Sequence, residues 1–186
     1  MSVHKPKLKN VAAMKVDRII KHHLPYEFWM MRDSLAAARK GSPTWFEHNL
    51  HVEGLALHSR NLIEFLKNGD ACAFSPADFT TNGFKVNKQF VRQGLIDKIN
   101  EQISHLTDDR TEDREEKFGP DDWTETVEAI EKEFDRWIKN LAPDWAKKWD
   151  ERERMGESAP KTISIEGGAA GACSEPTFVR FRSGDK

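Results

Sequence analysis

Apolar residues recur along this chain at helical rather than strand spacing. Phe28, Met31, Leu35 and Ala38 follow one another at intervals of three, four and three, the repeat that lines one face of an α-helix. Pro25 suits the first turn, where its missing N–H leaves no bond unmade, and Gly41 ends the run. A second helix is predicted with Ser42 as N-cap and Pro43 at its first position, reaching Leu66 before the breaker Asn68-Gly69. It carries Leu55, His58, Leu62 and Phe65 on one stripe, with Phe46, Leu50 and Leu57 close beside it. An apolar arc that wide predicts a helix central in a bundle.

The segment 68–86 mixes Gly, Pro, Asn, Thr and Asp with isolated Phe74, Phe79 and Phe84, the pattern of an ordered loop pinned by aromatic side chains. A third helix, Asn87 to Leu106, sets Ile96, Ile99, Ile103 and Leu106 on one face. Gly119-Pro120-Asp121-Asp122 announces a fourth, along which Trp123, Val127, Ile130, Phe134, Trp137 and Leu141 alternate at four and three. Pro143 ends or kinks it, and Trp145 and Trp149 with Lys147, Lys148 and Arg152 form a short amphipathic extension. Val11, Met14, Ile19 and Ile20 allow a short leading helix.

From Gly156 the texture changes: five of the 11 glycines and no Trp fall in the last 31 residues. Thr162–Ile165 and Phe178–Phe181 could pair as a hairpin, but an isolated two-stranded ribbon is marginal in water. The expectation is a helical bundle domain over residues 1–155 and a flexible, disordered Gly-rich tail over 156–186. With no internal repeat and no strand–helix alternation, the fold class is all-α, a four- to five-helix bundle.

Composition narrows the setting. The 186 residues have a mean hydropathy of −0.72 and no apolar run long enough to cross a bilayer. The basic first ten residues are not followed by the apolar stretch of a signal peptide. Cys72 and Cys173, 101 positions apart, read as free thiols. These features together predict a cytoplasmic protein without a membrane partner. Net charge is only −2, but residues 1–106 carry 15 Lys/Arg against 10 Asp/Glu, whereas 107–155 carry 10 against 17. That asymmetry falls well short of the clustered basic stripe of a committed nucleic-acid binder.

Candidate chemistry is sparse. On the second helix Asn49, Glu53, Arg60 and Glu64 are separated by four, seven and four, which puts them on one face, able to bracket a ligand or to form an ion-pair ladder. Glu47-His48-x-x-His51 allows two metal ligands on adjacent turns, but no second copy, HExxH or CxxC accompanies it. No metal site and no cofactor is therefore predicted. A GxSxG elbow and a phosphate-cradling glycine loop are both absent.

Several stretches resemble one another's counterparts in a known family. Leu24-Pro25-Tyr26-Glu27, the helix Asn49 to Phe65 containing His58-x-Arg60-Asn61-Leu62-Ile63-x-Phe65, and Ile99-Asn100 to His105-Leu106-Thr107 with Arg110 are similar to a widespread family of uncharacterised bacterial helical proteins, over roughly residues 20 to 140. More distantly the arrangement resembles HEPN domains, helical bundles that often dimerise. Active HEPN members use an Arg-x4-6-His motif as metal-independent ribonucleases. Here Asn100 and Lys98 stand where that arginine is expected before His105, and Phe65 and Leu66 stand where a histidine would follow Arg60-Asn61.

Metal-free RNA cleavage needs a base to take the 2′-hydroxyl proton and a cation for the phosphorane. His105 as base and Arg60 as cation are the catalytic candidates, and Asn49, Glu53, Arg60, His105 and Arg110 are the ligand-binding candidates. The alternative for His105 is a helix-terminal residue favoured by the dipole. Three function readings follow. One is a non-catalytic or regulatory binding protein working as a homodimer or with an RNA or protein partner, the alternative is a HEPN-type endoribonuclease, and the third, which stands behind both, is a metal-binding bundle. Surplus aromatics at Trp145, Trp149, Phe74, Phe79 and Phe84 supply the expected dimer surface.

Overall fold

The computed structural model describes residues 13–67, 74–81, 84–104, 117–152 and 154. The chain is an all-α bundle: α1 (Ala13–Arg18), a π-helical turn (Ile19–His23), α2 (Leu24–Lys40), α3 (Trp45–Lys67), α4 (Gln93–Ser104), α5 (Pro120–Ile138) and α6 (Pro143–Asp150). Among the described residues the β pairing is one isolated antiparallel bridge, Thr80 to Leu141. The expected tail, 156–186, lies outside the described residues.

α2 does not start at Pro25 as a fresh helix but runs on from the π turn and α1. It stops where expected: Gly41 has φ 77°, a conformation open to glycine, and its N–H closes onto the Ala38 carbonyl. The next helix begins two residues later than the Ser42-Pro43 pattern implies. Thr44, not Ser42, caps it, its Oγ1 accepting the Glu47 N–H at 3.1 Å. The short 41–44 connection folds α2 and α3 into an antiparallel hairpin. The two helices approach closely at Gly54, where an added Cβ would stand 3.0 Å from Ser34 Oγ.

α5 follows its pattern fully: Trp123, Val127, Ile130, Phe134 and Trp137 are all buried. Pro120 opens it, and Asp122 Oδ2 accepts the Gly119 N–H at 3.1 Å while pairing with Lys98 of α4 at 2.8 Å. Phe28 of α2 stacks on Phe134, ring centroids 4.6 Å apart, joining hairpin to α5. Pro143 starts a separate helix rather than kinking the fourth.

The loop aromatics and the α6 tryptophans belong to this core. Phe79 is fully buried, edge-on to Trp137 and Trp145, and Trp149 packs on Phe134 and Trp137. Phe74, Phe84 and Trp145 are partly buried against the same cluster. Trp137 Nε1–H donates to the Pro76 carbonyl, Ala142 N–H to Phe79 O and Thr81 N–H to Asn140 O, so backbone bonds hold the segment onto the α5–α6 corner. These rings therefore close the bundle's own end and do not supply the dimer surface expected of them: each buried ring removes its apolar area from water inside the monomer.

The third helix is also shorter than its sequence suggests. Asn87 to Phe90 form a turn, and α4 starts at Gln93 with Leu95 and Ile99 buried.

Candidate functional site

α3 buries Val52, Leu55, Ala56, Ser59, Leu62, Ile63, Phe65 and Leu66 against α2, α4 and α5. Its remaining apolar residues do not join them. Trp45 is 80% exposed, Phe46 71%, Leu50 55% and Leu57 44%. The wide apolar arc thus has two destinations: one half faces the core, and the other faces outward as a stripe at four- and seven-residue intervals. The helix is not enclosed on all sides as the pattern implied, because no described element covers its outer arc.

The predicted polar residues share that outer face. Glu53 is exposed, Asn49 and Glu64 are half-buried, and Arg60 is half-buried and already engaged within the chain. His105 and Arg110 lie outside the described residues. His48 leans on Trp123, ring centroids 5.9 Å apart. Among the described residues no group of three or more His, Cys, Asp or Glu is placed to hold a metal ion.

At one end of the hairpin stands a polar cluster that single-helix patterns do not reveal. His58 is buried, and its Nδ1 lies 2.8 Å from Glu27 Oε2 on α2. Asn61 Nδ2 donates to the same oxygen at 2.9 Å. The exposed ring of Tyr26 meets His58 edge-on at 5.6 Å. Both bonds fall on Oε2, and Oε1 has no partner among the described residues. In the neutral imidazole this places the proton on Nδ1, toward the carboxylate, and the lone pair on Nε2. The Glu27 carboxylate fixes the ring orientation of His58, as a carboxylate hydrogen-bonded to the far nitrogen of a metal-bound histidine does. Arg60 takes no part in it: two residues beyond His58, it projects roughly 200° away around α3. The cluster was missed because its members are 31 and 34 positions apart. The signal available was the polar intruder His58 within an otherwise apolar stripe.

Elsewhere a cleft of about 780 Å³ lies between residues 87–90 and α5, floored by Phe90 and Ala129. Its wall alternates Glu128, Lys132, Asp135 and Lys139 at four, three and four, the ordinary exposed pattern of i,i+4 unlike charges. It favours no class of ligand. No described helix is long and apolar enough to cross a membrane.

Comparison with protein-family models, curated proteins and solved structures finds no match for this chain.

Proposed function

We propose that this chain is a cytoplasmic binding protein of the non-catalytic, regulatory kind, which works by self-association through the outer face of α3. One observation carries the reading: Phe46, Leu50 and Leu57 are exposed at intervals of four and seven on the outer face of a single helix, with Trp45 exposed at its start. Trp45 and Phe46 alone offer roughly 300 Å² if an aromatic side chain spans about 150–250 Å². With the two leucines the patch reaches the ~300–600 Å² range of the largest patches on monomers, which are often functional. Such a surface costs solubility unless it is covered.

The test is native mass spectrometry and light scattering of the freshly purified protein at micromolar concentration, reporting subunit number and retained ligands together. A two-chain mass that falls to one chain in Phe46→Glu/Leu50→Glu, with an unchanged helical circular-dichroism spectrum, is the expected result. A one-chain mass for the unaltered protein overturns the reading.

The HEPN likeness supports a second reading, a metal-independent endoribonuclease, and the Glu27–His58 pair favours it by presenting an oriented imidazole. Cleavage of a single-stranded RNA, lost in Arg60→Ala, His105→Ala or His58→Ala without loss of folding, would replace the binding reading with this one.

A further inference from the structure

The α2–α3 hairpin has two unlike ends. At one, the C-terminus of α2 brings exposed Lys40 beside the start of α3 with Trp45 and Phe46. At the other, the start of α2 brings Tyr26 and Glu27 against His58 and Asn61 of α3. Among the described residues Glu27 Oε1 has no donor and Lys40 has no ion pair. The midpoint is the close approach of Gly54 to Ser34. Leu50 and Leu57 stand on α3 at nearly equal distances either side of that midpoint, both outward and both exposed.

A surface with this layout is self-complementary under one operation. Resting on the self-association proposed above, we infer that the occupant of the α3 face is a second copy docked antiparallel. The two-fold axis passes beside Gly54 and Ser34, with Leu50 of each copy on Leu57 of the other and Lys40 of each copy facing the open oxygen of Glu27.

One argument favours this orientation, since an isologous two-fold makes each contact twice in either and Glu53 meets its own copy beside the axis in either. Antiparallel docking sets the Lys40 end of one hairpin against the Glu27 end of the other, whereas parallel docking levels Lys40 with Lys40 and Glu27 with Glu27. Like charges brought together across an interface are unfavourable, and unlike charges fix its register. Phe46 of each copy then lies over the Tyr26–Asn61 end of the other, covering the aromatic rings that the monomer leaves in water.

Cysteine cross-linking tests the orientation. On a background with Cys72 and Cys173 changed to serine, Leu50→Cys and Leu57→Cys are made as separate proteins and oxidised gently, alone and mixed. The expected result is little covalent dimer from either variant alone and abundant dimer from the mixture. Each variant linking to itself instead, or a mixture that stays unlinked while its mass is that of two chains, overturns the antiparallel arrangement and leaves self-association standing. A one-chain mass by light scattering overturns self-association itself. Lys40→Glu supplies an independent reading on an exposed residue with no ion pair among the described residues: it should weaken association several-fold at low salt and reverse its salt dependence, since salt then screens a repulsion, and an unaltered salt dependence counts against the Lys40–Glu27 contact.

Discussion

His58 Nδ1 and Glu27 Oε2 stand 2.8 Å apart across the α2–α3 hairpin, the histidine buried and the carboxylate partly open to water. The pair joins two helices at the end farthest from their connection, where nothing covalent holds them. Removing Glu27 leaves a buried ring nitrogen without its acceptor, a loss of about 1–3 kcal/mol. Glu27→Ala should lower the urea midpoint accordingly, and Asn61→Ala, at an exposed position, should cost under about 1 kcal/mol. Equal effects of the two would mean that His58 does not depend on Glu27.

Gly54 sits in a helix interior, where alanine is intrinsically better by about 1 kcal/mol. An added Cβ meets Ser34 Oγ at 3.0 Å but Ser34 Cβ only at 3.8 Å, so the obstacle is one hydroxyl. Gly54→Ala alone should gain little or lose stability, and Ser34→Ala/Gly54→Ala should be more stable than Ser34→Ala by about 1 kcal/mol. Chemical denaturation of the four proteins closes the cycle, and additive effects would show that the helices do not touch there.

Phe79 lies in no helix, yet it is fully buried among Phe65, Phe74, Trp137 and Trp145. Phe79→Ala should cost about 3–5 kcal/mol, as truncation of a core aromatic does. The change should also be read by tryptophan fluorescence, since Trp137 and Trp145 lose a ring neighbour. A loss under about 1 kcal/mol would mean that the 74–81 segment is not part of the core.

Hydrogen bonding to Lys148 lowers the Asp17 pKa, the bond from Lys21 lowers that of Glu151, and Arg92 lowers that of Glu125. A carboxyl with a folded pKa below its unfolded value contributes stability that is complete above the unfolded value, near 4, and is lost as pH falls through the folded one. The melting temperature should therefore be level near neutrality and fall below about pH 4.5. Glu125 and Glu151 are exposed and Asp17 is only half-buried, so the contribution of these pairs should shrink at high salt. Lys21 stays charged throughout, its pKa raised by the Glu151 bond. An acid-side slope indifferent to salt would assign the loss to other groups.

What was legible along the chain was everything set within one turn or one helix. The four-three spacing of Trp123 to Trp137 defines a buried face because each residue lies over the one before it in any α-helix, whatever surrounds it. Gly41 ends α2 because its backbone reaches a φ that side chains resist, and Pro120 opens α5 for an equally local reason. The all-α class follows from the same repeats. What only the tertiary structure decided was which of several apolar faces would be covered. Leu55 and Leu57 look alike in sequence, yet one is fully buried and the other exposed, because the described helices cover only part of the circumference of α3. Phe79 and Trp149 read as spare aromatics and proved to be core, since burial depends on where a loop and a terminal helix come to rest. The Glu27–His58–Asn61 cluster was hidden for the same reason: a hydrogen bond is set by a few ångströms of space, and two positions 31 residues apart share that space only after the hairpin has closed.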